Sequence, residues 1–172
     1  MDRQFTQAAQ GVIDGAKVCA WHRRSLYVDG IDILSSLLEN DQNGFAGQAL
    51  SKSGVTLSAM KEQVRQCTYG EGSRIEENAP WTTNAQMVLV EGREIAAELR
   101  SDKCGTEHLL LALLRIGGFS VKALVDSGFA PAIISREVMS LCSPPRQARR
   151  LGRVWQGGGT SAAMLLHGTR GR

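Results

Sequence analysis

GTEHLLLALLR, residues 105–115, is the stretch that decides the fold of this chain. Its leucines recur at the three- and four-residue spacing of an α-helix, which predicts one buried helical face. Glu107 and His108 stand just before that face begins. A carboxylate in a first helical turn is stabilised by the helix dipole by roughly 0.3–1 kcal/mol. These two residues are therefore candidates either for a plain helix start or for part of a ligand site.

The chain contains an internal repeat, and this leucine-rich stretch belongs to its second copy. Phe5 and Thr6 match Trp81 and Thr82 at an offset of 76 residues, and the same register runs through the following leucines. Beyond the loop ENDQNG at residues 39–44 the offset falls to 74, which indicates two extra residues in the first copy. Insertions of this kind are tolerated in surface loops. The repeat predicts two similar units stacked on one another.

Each copy is predicted to form four helices, and no alternation typical of β-strands is evident. Thr6 and Thr82 are predicted N-caps, because a threonine hydroxyl accepts a hydrogen bond from an unpaired backbone N–H. Gly54 and Gly128 are predicted helix stops. The sequence thus predicts an all-α domain over residues 3–142, with repeat 1 at 3–67, a linker at 68–80 and repeat 2 at 81–142. The predicted helices cover 6–20, 30 onward, 45–51 and 57–67, and then 82–99, 106 onward, 119–127 and 131–141.

Composition is consistent with a packed helical domain in a reducing compartment. Hydrophobic residues make up 42% of the chain and aromatic residues only 5%, so the core is expected to be aliphatic. No N-terminal apolar segment and no run of 18 apolar residues is present, so we expect a cytoplasmic protein outside the membrane. Four cysteines lack the spacing of a metal or redox site and are predicted to be small core residues: Cys19, Cys67, Cys104 and Cys142.

Residues 143–172 form a basic tail that is predicted to be disordered. No acidic residue follows Glu137, whereas six arginines lie beyond Pro145. The tail also contains Pro144-Pro145 and a run of three glycines, which disfavour a packed fold. An alternative is binding of nucleic acid through the arginines, with Trp155 stacking on a base.

Three segments resemble the N-terminal repeat domain of Clp ATPases of the ClpC type: FTQAAQGVI, WTTNAQMVL and GTEHLLLALLR. That family shows a pair of F/Y-T-x-x-A segments, each followed by GTEHLLLGLLRE, a short helix, L-x-x-L/S-G and a closing amphipathic helix. The resemblance covers about residues 3–142. The second repeat matches specifically, whereas the first has YVDGIDILSSLLE in place of YVGTEHLLLGLLRE.

The resemblance implies eight helices with pseudo-twofold symmetry and the role of a docking domain on a hexameric unfoldase. Implied partners are Clp ATPase or protease subunits, adaptor proteins and tagged substrate proteins. The chain has no GxxxxGK[ST] phosphate loop, so we expect a free-standing module without the ATPase. We therefore predict a bacterial, non-enzymatic binding module that modulates or competes with a Clp protease system, with no cofactor and no metal.

The resemblance also implies a receptor for phosphorylated arginine in the second repeat. The family's receptor glutamate and threonine correspond to Glu107 and Thr82, and we expect Thr106 to cap the helix beside them. A carboxylate can pair with a guanidinium, and a helix N-terminus can accept a phosphate. In the first repeat Ile31 stands at the position of Glu107, so we expect that copy not to bind the ligand. Its helix start is still predicted to be capped, with Asp29 and Asp32 spaced as in a capping box.

Phe5 and Trp81 occupy matching positions before the first helix of each repeat. They are predicted either to plug the ends of the bundle or to form an apolar platform for a partner or a cyclic peptide. In the second case the chain would act as a decoy that sequesters peptide antibiotics directed at Clp. His22, His108 and His167 are scattered and show no catalytic arrangement, and His108 is expected to pack or cap rather than act as a base.

Overall fold

The computed structural model describes residues 4–66 and 79–142. The predictions for Cys67, for the linker before Ala79 and for residues 143–172, including Trp155 and His167, lie outside these ranges. The all-α prediction is confirmed, and each predicted helix end lies within two residues of the observed one. The described residues form α1 (Gln7–His22), α2 (Gly30–Asn40), α3 (Phe45–Lys52), α4 (Leu57–Gln66), α5 (Thr83–Glu98), α6 (Thr106–Ile116), α7 (Phe119–Asp126) and α8 (Pro131–Cys142).

The first helix of each repeat begins at the predicted threonine. The Thr6 hydroxyl accepts a hydrogen bond from the Ala9 N–H at 3.1 Å, and the Thr82 hydroxyl accepts one from the Ala85 N–H at 3.2 Å. Both threonines have extended backbone angles, as N-cap residues do. These two caps are therefore confirmed.

The third helix of each repeat ends two residues before the predicted glycine. Gly54 and Gly128 have φ angles of +78° and +86°, which a residue with a side chain rarely adopts. Both stop predictions are confirmed.

Helix packing shows the pseudo-twofold relation between the repeats. Every major contact between repeats has its exchanged counterpart: α3 packs on α8 as α7 packs on α4, and α2 packs on α7 as α6 packs on α3. The helices α2 and α6 also pack on each other at the centre. The two repeats thus share one core instead of forming two separate ones.

The core is aliphatic, as the low aromatic content predicts. Cys104 is 1% exposed and packs in this core, whereas Cys19 and Cys142 are half-buried. The small-core prediction for cysteine is therefore confirmed fully only for Cys104. The largest fully buried side chains are mostly leucine and isoleucine from α2, α3, α6, α7 and α8: Ile31, Ile33, Leu34, Leu37, Leu50, Leu109, Leu110, Leu113, Leu124 and Ile134.

The two extra residues of repeat 1 lie in the loop between α2 and α3, where Gln42 and Asn43 are exposed. The matching loop of repeat 2 consists of Gly117 and Gly118 alone, both with positive φ angles. The longer loop is anchored by Asp41, whose carboxylate accepts a hydrogen bond from the Gly47 N–H at 3.1 Å. The predicted insertion is therefore a surface feature held at one end.

Taken singly, no helix in the described ranges combines the length and apolarity that a membrane span requires. The consecutive helices α6 and α7 would satisfy the length and composition only as a pair bent by 87°.

Candidate ligand site at the start of α6

The segment that leads into each repeat pairs with the other repeat. The Thr6 N–H donates to the Cys104 carbonyl at 2.9 Å, and the Thr82 N–H donates to the Val28 carbonyl at 2.9 Å. Thr6 therefore lies beside the chain that enters α6, and Thr82 lies beside the chain that enters α2. The repeats exchange their leading segments across the pseudo-twofold axis.

This exchange places Thr82 beside the start of α2, so the described contacts do not bring it together with Glu107. The Thr82 hydroxyl donates to the Asp29 carboxylate at 2.9 Å, at the start of α2. The helices α5 and α6 form a hairpin, and a side chain at Gly118, past the end of α6, would contact Asn84 at the start of α5. Glu107 lies at the opposite end of α6 from Gly118. Eleven residues separate the two, which at a rise of 1.5 Å per residue places them about 16 Å apart.

The helix α6 begins at Thr106, as predicted, but its N-cap is the residue before it. Gly105 has the extended backbone of an N-cap residue, and Thr106 is the first helical residue with only 3% of its surface exposed. The cap prediction for Thr106 is therefore wrong. His108 completes the start instead, because its Nδ1 accepts a hydrogen bond from the Gly105 N–H at 2.8 Å.

His108 has the packing and capping role that the sequence predicts. Its side chain is 2% exposed, and burial lowers its pKa, although the nearby Glu107 carboxylate opposes this effect. Because Nδ1 accepts the Gly105 N–H, that nitrogen carries no proton. The imidazole is thus held in a neutral form that serves the helix start.

The Glu107 carboxylate folds back over Gly105 at the N-terminus of α6. A Cβ atom at Gly105 would collide with both carboxylate oxygens of Glu107, so glycine leaves room for this conformation. One carboxylate oxygen lies 3.3 Å from His108 Nδ1, and 18% of the Glu107 side chain is exposed. A neutral imidazole does not compensate the carboxylate charge. Among the lysines and arginines whose side chains the structure describes, none forms an ion pair with Glu107.

The Glu107 carboxylate interacts electrostatically with two thiols, those of Cys104 and Cys142. Burial raises the pKa of Cys104 and of Cys142 to about 12 in each case, and the Glu107 carboxylate adds to the rise. Thiols with such pKa values stay protonated at neutral pH and are poor nucleophiles. The Glu107 carboxylate is thus a negative charge beside a neutral imidazole and two protonated thiols.

At the corresponding helix start in repeat 1, the acidic side chains already form hydrogen bonds within the protein. Asp29 accepts hydrogen bonds from the Gly30 N–H at 2.7 Å and from the Thr82 hydroxyl. Asp32 accepts the Asp29 N–H at 2.8 Å, which confirms the capping box. Ile31, at the position of Glu107, is 1% exposed and belongs to the core.

Asp32 also forms a buried ion pair with Arg23. The guanidinium donates through Nε at 3.0 Å and through Nη2 at 2.7 Å, and the two side chains are 5% and 1% exposed. Sequence reasoning missed Arg23. The available signal was an aspartate inside the apolar run IDIL, because a buried carboxylate requires a partner.

Phe5 and Trp81 are both half-buried and pack against the core. Phe5 pairs with Cys104 and Trp81 pairs with Val28 through parallel backbone bridges. Each of these residues therefore lies at one of the two exchanged junctions. Their use as a platform for a partner or peptide stays a prediction.

Comparison with known proteins places this architecture in a family. The family model described as the Clp repeat (R) N-terminal domain matches residues 4–124 and 80–154. The chloroplastic ATP-binding subunit ClpA homolog CD4B of the tomato Clp protease is 31% identical over 167 residues, covering 96% of this chain and 18% of the relative. The chaperone ClpB of Oceanobacillus iheyensis is 29% identical over 164 residues, covering 94% of this chain and 20% of the relative. The chain thus spans about a fifth of the length of these relatives.

Solved structures share the same fold. The N-terminal domain of ClpD from Arabidopsis thaliana superposes with a TM-score of 0.66 at 18% identity, over 80% of this chain and 93% of that one. The Hsp104 N-terminal domain from Candida albicans gives 0.68 at 16% identity, over 81% and 91%. The chain belongs to the Clp repeat N-terminal domain family and is related to the docking modules of Clp unfoldases.

Proposed function

We propose that this chain is a non-enzymatic docking module whose α6 site binds a phosphorylated arginine side chain. The observation that carries the proposal is the Glu107 carboxylate, which is held at a helix start with no basic partner in the described part of the chain. Its counterpart in repeat 1 is a buried isoleucine. The module would bind tagged substrate proteins, adaptors or subunits of a Clp system.

The carboxylate supplies the guanidinium half of the site. Guanidinium and carboxylate form charge-assisted, often bidentate hydrogen bonds, each contributing about 1.5–3 kcal/mol. Glu107 is partly exposed, so a ligand can reach it, and Gly105 leaves its oxygens unobstructed. The low exposure strengthens such a pair relative to one in open solvent.

The start of α6 supplies the phosphate half. Backbone N–H groups of the first helical turn attract anions, and the helix dipole adds to the attraction. Of the two N-cap threonines, Thr6 pairs through its backbone with the segment that enters α6, whereas Thr82 pairs with the segment that enters α2. Thr6 therefore replaces Thr82 in the proposed receptor.

Titration calorimetry with free phosphoarginine tests the proposal. We expect one site per chain, and Glu107→Gln should weaken binding about 10- to 100-fold, which corresponds to the loss of one charged hydrogen bond. The matched control is Glu98→Gln, which removes an exposed carboxylate paired with Arg115 instead. Absence of binding to the parent protein, or equal binding by both variants, would exclude the α6 site.

A second pair of variants separates the two threonines. Thr6→Ala and Thr82→Ala each remove an N-cap, so each should cost about 1 kcal/mol of stability. Only Thr6→Ala should weaken phosphoarginine binding, because Thr82 lies at the start of α2. Weaker binding in Thr82→Ala alone would favour the pairing expected from the sequence.

The remaining features of the function follow from the same proposal. His108 is used as a cap and the thiols near Glu107 stay protonated, which supports binding rather than catalysis. A cytoplasmic or organellar Clp system would supply the partners. A decoy role toward Clp-directed peptides requires a separate surface at Phe5 and Trp81 and rests on no contact described above.

A further inference from the structure

Four large apolar side chains are exposed on one side of repeat 1. Val18 and Trp21 lie near the end of α1 with 52% and 50% of their surfaces exposed, and Leu26 and Tyr27 follow in the next loop with 44% and 53%. Single exposed apolar residues are common, but a cluster marks an interaction surface. We call these four residues the repeat 1 patch.

The internal repeat shows that the patch is contiguous. At the offset of 76 its four residues correspond to Glu94, Ala97, Asp102 and Lys103. All four line one cleft of about 490 Å³ beside the end of α5. Because the repeats share their backbone arrangement, the repeat 1 patch surrounds the matching place beside the end of α1.

The same comparison shows that the fold does not require these apolar side chains. Repeat 2 has three charged residues and one alanine at these positions, and all four are exposed. Repeat 1 instead exposes two aromatic and two aliphatic side chains, which favours association. The ring of His22 lies edge-on against Trp21 at a centroid distance of 5.0 Å, which restricts the indole. The two repeats therefore have similar backbones but differ in the side chains at these four positions.

Charge around the patch indicates what covers it. Lys17 and the exposed Arg24 flank Trp21, and residues 15–28 contain no acid. The nearby Asp14 forms an ion pair with Lys17 at 3.5 Å. A second copy packed patch to patch would place Arg24 close to its own counterpart, which is unfavourable.

We propose that the repeat 1 patch docks an amphipathic helix of another protein, with acidic residues flanking its apolar face. The apolar face would cover Trp21 and Tyr27, as in helix-in-groove recognition, and the acids would pair with Lys17 and Arg24. This inference rests on the docking part of the proposed function but not on Glu107. Failure of phosphoarginine binding would therefore leave it intact, and the reverse also holds.

The test uses the full chain and its own second repeat as the control. In the variant Val18→Glu, Trp21→Ala, Leu26→Asp, Tyr27→Lys, each position takes the residue of repeat 2, which the same framework already accommodates. A phage-displayed library of random 16-residue peptides is selected on the parent protein and counter-selected on this variant. Circular dichroism and denaturant unfolding show that the variant is folded.

We expect selected peptides with apolar residues at helical spacing and an excess of Asp and Glu at their flanks. A synthetic selected peptide should bind the variant at least tenfold more weakly, and raised salt should weaken its binding to the parent. Equal selection on both proteins, or peptides without acidic residues, would overturn the proposal. So would sedimentation showing a dimer of the parent that the variant abolishes, because the patch would then bind a second copy.

Discussion

Replacing Arg23 by leucine should destabilise the domain severely, because it removes the only partner shown for the Asp32 charge among the described cations. The pair is bidentate and both side chains are almost fully buried. Removing one member of such a pair costs about 3–5 kcal/mol, out of a total stability of about 5–15 kcal/mol for a domain. Repeat 2 has Leu99 at the position of Arg23, so leucine itself suits the backbone.

The second repeat also supplies the compensating change. His108 stands at the position of Asp32 and accepts the N–H of the residue three positions before it, as Asp32 does. In the double variant Arg23→Leu, Asp32→His the cap should survive without a buried charge. We expect a cost of about 1 kcal/mol for the double variant, and hence a coupling of at least about 2 kcal/mol between the two positions.

Denaturant unfolding followed by circular dichroism measures these values. Burial raises the pKa of Asp32, and Arg23 opposes that rise. Without Arg23 the folded protein should bind a proton at higher pH than the unfolded chain, so the loss should be largest at alkaline pH and shrink as the pH falls. A loss below about 1 kcal/mol for Arg23→Leu at pH 7.5, or a double variant no more stable than the single one, would refute this reasoning.

Three further outcomes concern His108, Gly105 and two of the cysteines. Because burial lowers the pKa of His108, the unfolded chain binds a proton on this imidazole at a higher pH than the folded protein does. The free energy of unfolding should therefore fall by up to about 1.4 kcal/mol from pH 7.5 to 5.5. The variant His108→Gln, measured by the same denaturant titrations, should lose this dependence on pH. Gly105→Ala should displace the Glu107 carboxylate. We expect the affinity for phosphoarginine in calorimetry to fall about tenfold, and the domain to lose about 0.5–1 kcal/mol of stability. An unchanged affinity would contradict the role of the carboxylate. Cys19 and Cys104 have pKa values of about 12, so their alkylation at pH 8, followed by mass spectrometry of each cysteine, should be about a thousandfold slower than that of an exposed thiol.

The helices could be predicted because their signals are local. Threonine caps, leucine spacing and left-handed glycines act within a few residues, and Thr6, Thr82, Gly54 and Gly128 all have the predicted roles. The sequence indicates Thr106 instead of Gly105 as the cap of α6, because a glycine N-cap carries no side-chain signal. Helix boundaries are generally uncertain at this level.

The candidate site could be predicted only in part because its assembly is not local. A repeat pattern aligns Thr6 with Thr82 but does not show whether each pairs within its own repeat or across to the other. The hydrogen bonds of Thr6 to Cys104 and of Thr82 to Val28 resolve this in favour of exchange. The ion pair of Arg23 with Asp32 likewise depends on how α1 and α2 pack.

These observations describe two repeats that use the same helix start differently. In repeat 1 the acids serve the fold, since Asp29 holds Thr82 and Asp32 holds Arg23. In repeat 2 a neutral histidine caps the helix, so the Glu107 carboxylate is not needed for the cap and is available to the proposed ligand. The double variant Arg23→Leu, Asp32→His copies only the cap of repeat 2, while Ile31 stays buried. It should therefore still bind one phosphoarginine per chain in calorimetry, whereas two sites per chain would show that the ion pair, and not Ile31, blocks the first repeat.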